Sequence, residues 1–282
     1  MYNYNFKDIS IYNQKNGTII DDEKGYRYLL REVSSRDELL EIYNLLIQNN
    51  VYKYYNKIVF TKNNDIVSNY KGKYFVLLLL QHSNVINHNR IYLKPINYLS
   101  SRYNWIDMWI NKNNYYYDKW NILRRKYSII DDSFDYFFYL AENSIYYLLY
   151  SEVDLNVYRP SFTYKRYIQE EFLNPTNIIV DGVERDVGEY LKYIFLNNKY
   201  NFDCIDSIFR KNKYSNNQYI KIYARVMYPN YYFDMCDMIE NNIDCYKYMK
   251  SVIDRTEEFE NYLRGLYFII SKYSDIKKVD WL

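Results

Sequence analysis

Cysteine, histidine, glycine and proline are all scarce in this chain. Three cysteines (Cys204, Cys236, Cys245) are too few and too scattered for a disulfide framework. With only two histidines, His82 and His88, a zinc cluster is excluded as well. Six glycines and four prolines leave no material for long disordered linkers. Neither sign of charge dominates: 37 Lys and Arg stand against 35 Asp and Glu, a formal net charge of +2. That balance excludes a duplex-DNA binder that works by neutralising phosphates. Long apolar runs are missing too. The longest, Phe75 to Leu80, falls far short of a membrane span. The start, Met1 to Lys7, is polar and carries no signal-peptide hydrophobic stretch. A cytoplasmic protein with no membrane partner is the expectation.

Tyrosine, by contrast, is abundant, at 40 of 282 residues. It rides with many Asn, Ile and Lys residues, all encoded by A/T-rich codons, so base composition explains the bias. A stacking surface for single-stranded nucleic acid would also use aromatics, but it needs a strong basic excess that this chain lacks. No nucleic-acid partner is therefore expected. Tyrosines that take core positions must find a partner for each buried hydroxyl.

The first third predicts strands around one helix. Asn16-Gly17 marks a turn before Thr18-Ile19-Ile20, and Tyr26 to Val33 has the look of a strand. Ser34 or Ser35 can cap a helix whose first turn holds Asp37 and Glu38. Its apolar stripe is Leu39, Ile42, Leu45 and Leu46. Lys57 to Phe60 and Phe75 to Leu80 follow as strands, the second apolar throughout, as a strand buried on both faces would be. From about residue 102 helical periodicity takes over, with stripes such as Trp105/Met108/Trp109, Phe134/Phe137/Phe138/Ala141/Ile145/Leu148 and Phe259/Tyr262/Leu263/Leu266/Ile270. Residues 156–184 interrupt it with two prolines and the β-type run Ile178-Ile179-Val180. The expected fold class is α+β: a small sheet lobe with one helix over 1–82, then a larger helical lobe over 83–282 that carries the insert at 156–184.

The segment 172–192 is the most informative. Asn177 precedes a short strand and Asp181 ends it. An amide and a carboxylate across a short hairpin can converge on one Mg²⁺, which takes oxygen ligands at about 2.0–2.1 Å. Asp186 starts an amphipathic helix that it could cap.

With this lobe order, the run Asn174-Pro175-Thr176-Asn177-Ile178-Ile179-Val180-Asp181 resembles the end of the catalytic loop in the aminoglycoside-phosphotransferase/choline-kinase-like branch of the protein-kinase fold. Arg185-Asp186-Val187-Gly188-Glu189 resembles the helix start that follows it there. Within that branch the chain looks most like the spore-coat kinase-like proteins of low-GC Firmicutes. Phe134 to Ile145 and Tyr223 to Phe233 resemble two helices of that group. The resemblance implies a two-lobed kinase-like fold, with Mg²⁺ and ATP as cofactors where activity survives. It also implies Asn177 and Asp181 as metal ligands, a nucleotide or small molecule in the cleft between lobes, and protein partners in coat assembly.

The chain departs from the pattern where chemistry is done. Active relatives carry His-x-Asp in the catalytic loop, the Asp serving as base. Tyr164 stands at the His position and Arg166 at the Asp position, and a guanidinium cannot accept a proton at neutral pH. Glu170 or Glu171 could act as a relocated base. Arg31 takes the position of the phosphate-gripping Lys, with Glu38 or Glu41 as its helix partner. Single glycines near Asn16-Gly17 and Lys24-Gly25 replace a Gly-rich loop. Arg159, Lys165 and Arg166 make a small basic cluster that reads as a solvated loop or a phosphate site. The first expectation is a pseudokinase used as a binding or scaffold module. The alternative is an atypical ATP/Mg-dependent phosphotransferase acting on a small-molecule hydroxyl.

Overall fold

A computed structural model describes residues 4, 6, 9–14, 17–80, 105–154, 160–168 and 171–282. Glu170, Arg159, His82 and His88 lie outside the described residues. The chain divides into two compact units. One joins Met1–Ile96 with Pro160–Asp181, and the other joins Asn97–Arg159 with Gly182–Leu282. Most of the segment that the sequence attaches to the helical part thus belongs with the sheet, because Glu171 and Asn174 bond to Arg31 and Asn56.

In the first unit, β1 (Ile9–Gln14), β2 (Gly17–Asp22), β3 (Arg27–Val33), β4 (Lys57–Val59), β5 (Ser68–Tyr70) and β6 (Lys73–Leu79) form one sheet. Its order is β1-β2-β3-β6-β4, with β5 also on β6, and every pairing is antiparallel. Two strands, β1 and β5, go beyond the sequence expectation. β5 and β6 join through Lys71 and Gly72, both at positive φ as a two-residue hairpin demands. Gly17 is required at the start of β2: φ is +142°, and a Cβ there would lie 2.5 Å from the Leu30 carbonyl oxygen.

Strand alternation builds two apolar layers. Ile19, Leu29, Ile58, Val76 and Leu78 pack with Leu39 of α1 (Arg36–Gln48), whereas Ile20 and Leu77 pack with Tyr4 on the other layer. Two-sided burial is why β6 is apolar from Phe75 to Leu79. Ser35 rather than Ser34 caps α1, its hydroxyl accepting from the Glu38 N–H at 3.2 Å. A two-stranded sheet of β7 (Pro160–Tyr164) and β8 (Ile178–Gly182) completes the strands.

The second unit is helical: α2 (Trp105–Leu123), α3 (Ser128–Asp131), α4 (Phe134–Tyr150), α5 (Glu184–Leu196), α6 (Phe202–Asn212), α7 (Asn216–Met227), α8 (Asn230–Glu240), α9 (Tyr246–Ile253) and α10 (Thr256–Ile270). No helix among the described residues is long and apolar enough to cross a membrane. Tyrosines form much of this core, and their hydroxyls find partners. Tyr262 donates to the Leu191 carbonyl at 2.9 Å, Tyr223 to the Leu263 carbonyl at 3.1 Å and Tyr228 to Asn113 Oδ1 at 2.8 Å.

α5 and α7 approach closely because Gly188 has no side chain; a Cβ there would sit 3.0 Å from Arg225 Cβ. Between them lies a buried ionic network. Lys192 Nζ contacts Glu189 Oε1 at 3.1 Å and donates to Asn230 Oδ1 at 2.6 Å. Arg225 reaches Glu189 at 3.6 Å and lies over the Trp109 ring, which stacks on Tyr228. Lys221 pairs with Glu184 at 3.5 Å. A group charged at this depth is tolerated only when paired and hydrogen-bonded. Asp186 is buried in the first turn of α5, which starts two residues earlier than the sequence suggests, after Val183. The N-cap position is taken by Val183, so Asp186 stands inside the helix and not at its cap.

Two outcomes follow from this packing. Lys192→Met should lower unfolding free energy in urea by about 3–5 kcal/mol, since it removes a buried cation that both Glu189 and Asn230 contact. Lys73→Met, at the exposed pair with Glu32, should change it by less than about 1 kcal/mol. The second outcome concerns base. Burial pushes the Tyr52 hydroxyl up to about 12, against the N–H of Ile58 that donates to it, and burial also raises Tyr136, Tyr147, Tyr223 and Tyr232. A raised folded-state value means stability is complete below the unfolded value near 10 and falls as pH climbs beyond it. Phenolate absorbance should therefore lag a free-tyrosine titration and then jump with unfolding; equal stability at pH 8 and pH 11 would contradict this.

Candidate functional site

The stretch from 160 to 181 carries most of the residues that the sequence singles out. β7 delivers Tyr164 into the protein, where its ring meets Phe172 at 4.5 Å and Tyr167 at 6.1 Å. The ring at the expected His position is thus part of an aromatic cluster that holds the loop from below. Arg166 follows, half-buried, its Nη1 donating to the Lys165 carbonyl at 3.1 Å.

Asn177 closes the loop. Its N–H donates to the Asn174 carbonyl at 2.9 Å, and its own carbonyl accepts from the Lys165 N–H at 2.8 Å. The side chain then clamps Arg166 from both sides. Oδ1 accepts from the Arg166 N–H at 3.1 Å, while Nδ2 donates to the Arg166 carbonyl at 3.0 Å and to the Glu171 carbonyl at 3.4 Å. An amide offers four hydrogen-bonding positions at most, and three are used here.

Asp181 sits half-buried on β8. The sequence expectation of a hairpin between Asn177 and Asp181 is corrected: Ile178–Gly182 is one extended strand. At about 3.3 Å per residue the two Cα atoms lie roughly 13 Å apart, too far for both side chains to share one Mg²⁺ at about 2 Å. Among the described residues, no group of three or more His, Cys, Asp or Glu side chains could hold a metal ion. Asn177 Oδ1 is turned to the Arg166 N–H, and an extended strand separates it from Asp181, so these two residues do not form one shared Mg²⁺ site.

The partner of Arg31 also differs from the expectation. Glu38 is exposed on the first turn of α1, and Arg31 on β3 instead pairs through Nη1 with Glu171 Oε2. The Glu171 side chain is only 4% exposed, so it demands a cation, whereas water suffices for Glu38. Asn174 Nδ2 donates to the same Glu171 oxygen at 3.1 Å, and Asn174 Oδ1 accepts from Asn56 Nδ2 at 2.6 Å. The Asn56 N–H donates to the Leu173 carbonyl at 2.7 Å. The loop is thus tied to the sheet by an ion pair and an asparagine ladder. Asn56 does not stand out in the sequence, and nothing in the run opened by Asn174 points to it; they are 118 positions apart, in a chain rich in asparagine. Glu171, held in this way, is a tie and not a free base.

A second anion position is filled in the same manner. In the β2–β3 turn, Asp22 Oδ1 accepts from the N–H groups of Lys24 and Tyr26, each at 2.9 Å, around Gly25 at φ +80°. Backbone N–H groups that could cradle a phosphate are thereby turned onto the chain's own carboxylate. Residues 15–16, at the other glycine turn, lie outside the described residues.

The fold recurs in solved phosphotransferases. An aminoglycoside phosphotransferase from Alicyclobacillus acidocaldarius matches with a TM-score of 0.57 at 10% identity, covering 96% of this chain and 95% of that one. Spectinomycin phosphotransferase APH(9)-Ia, solved with ADP and spectinomycin, matches with a TM-score of 0.50 at 10% identity, covering 94% of each. At such identity the likeness is one of fold: a kinase-like α+β architecture with an N-terminal antiparallel sheet and a larger helical part. No curated protein sequence matches the chain. A family model described as "Spore coat putative kinase YutH" matches residues 2–266. Nearly the whole chain is covered by that match, and the protein belongs to this spore-coat kinase-like family.

Proposed function

We propose that this protein is a pseudokinase: it keeps the kinase-like fold, has lost phosphoryl transfer, and serves spore-coat assembly as a binding or scaffold module for other proteins. On this reading it is made in the cytoplasm and becomes spore-associated. The observation that carries the reading is Arg166, a residue unable to accept a proton, clamped by Asn177 where active relatives hold their base. Loss of a general base costs roughly 10²–10⁴ in rate. Three further features support it. Glu171 occupies Arg31, Asp22 fills the β2–β3 turn, and the Asn177 to Asp181 strand spreads the two expected metal ligands apart. The ADP in the spectinomycin phosphotransferase belongs to that protein. A nucleotide role for this chain is the rival reading, with Asp181 as its metal ligand.

Two measurements test the proposal. Millimolar Mg·ATP should leave the thermal unfolding midpoint unchanged, whereas a ligand at 100 times its Kd would add about 2.7 kcal/mol. ATP-dependent phosphorylation of any alcohol or protein, abolished by Asp181→Ala, would overturn the proposal. Asn177→Ala should destabilise the fold by about 1–3 kcal/mol in urea, the cost of leaving buried backbone groups unpaired. In a protein without activity to lose, that is the whole of its effect.

A further inference from the structure

The geometry points to Glu171 as a built-in anion that keeps Arg31 closed to polyphosphate ligands. This inference rests on the reading above that the site is non-catalytic, and adds what holds it shut. A guanidinium recognises carboxylate and phosphate with the same planar fork of donors. Arg31 projects from β3 with its side chain 32% exposed, so a solute can reach it. One of its nitrogens is engaged by Glu171; among the described residues, no other group bonds the remaining two.

The carboxylate is delivered by the loop and not by the sheet. Glu171 is 140 positions from Arg31 and is aimed by Asn174, which is itself held by Asn56. Neither asparagine carries charge, so Arg31 is the cation in this ladder. Two anions cannot share one cation without repulsion, so a polyphosphate that binds Arg31 must displace Glu171 or be excluded by it. The β2–β3 turn shows the same device on a second scale, with Asp22 taking the N–H groups of Lys24 and Tyr26. Self-supplied carboxylates thus occupy two positions of the sheet unit that are chemically suited to phosphate.

The test is isothermal calorimetry of the full chain with sodium tripolyphosphate, comparing wild type, Glu171→Gln and the double variant Arg31→Gln/Glu171→Gln. Glutamine keeps the length and can still accept from Asn174 while dropping the charge. Glu171→Gln should bind tripolyphosphate at least tenfold more tightly than wild type, and the double variant should lose that gain. Equal affinity in wild type and Glu171→Gln, no binding in either, or a gain that survives in the double variant would each overturn the inference. Should Glu171→Gln lack a cooperative thermal transition, Glu171→Ala replaces it. Alanine removes the charge and the reach together, and the same tenfold criterion applies. ATP and adenosine as further titrants separate a nucleotide from a bare polyphosphate: adenosine should bind none of the variants. Phosphoryl transfer by wild type would defeat the pseudokinase reading and, with it, the inference that rests on it. An unchanged affinity in folded Glu171→Gln would defeat only the inference.

Discussion

A carboxylate removed from water must be met by a cation or protonated, and Glu171 meets Arg31. The rest of the candidate site is arranged around that pairing. To bring Glu171 onto β3, the stretch after β7 folds back in short turns, each stitched by backbone bonds at Ile168, Glu171, Asn174 and Asn177. Asn174 and Asn56 fix the direction of the carboxylate, and Asn177 fixes the residues before it. The outcome is a loop whose described side chains bond to one another and to the sheet.

The helical unit solves a different problem with the same economy of partners. A chain so rich in tyrosine must bury many phenols, and each brings a hydroxyl that costs free energy unless it is bonded. Tyr223, Tyr228 and Tyr262 pass theirs to backbone or amide oxygens on neighbouring elements. These bonds link α2, α5, α7 and α10 more specifically than phenylalanine could. The Glu189–Lys192 pair adds a polar seam between α5 and α7, opened for close approach by Gly188. A composition that reflects codon bias thus becomes a cross-linked core.

The fold was largely legible in the sequence. The β-prone run of β2, the continuous apolar stretch of β6, a serine cap before α1 and the stripe of α4 each declare themselves locally, because burial on one face imposes a period of about 3.6 residues on a helix and burial on both faces empties a strand of polar residues. The strands β1 and β5 escape notice because β1 is exposed over most of its length and β5 has only three residues, so neither carries a burial pattern. The site was legible only in part. Arg166 and Tyr164 announce a departure by residue type alone. The partner of Arg31 could not be found, since Glu38 and Glu171 look alike in sequence and differ only in burial. The expected Asn177/Asp181 hairpin failed for a related reason: a β-type run does not say whether it turns or runs straight.

By itself, then, the sequence determined the α+β class, the order of sheet before helices, and the presence of Tyr164 and Arg166 where the resembled family carries His-x-Asp, for these follow from residue type and periodicity. Tertiary structure decided which carboxylate meets Arg31, that Asn177 clamps the loop, and that Asp186 lies buried within the first turn of α5 without capping it. Pairings across more than a hundred residues depend on which groups lose their water, and desolvation is a property of the folded whole, written at no single position of the chain.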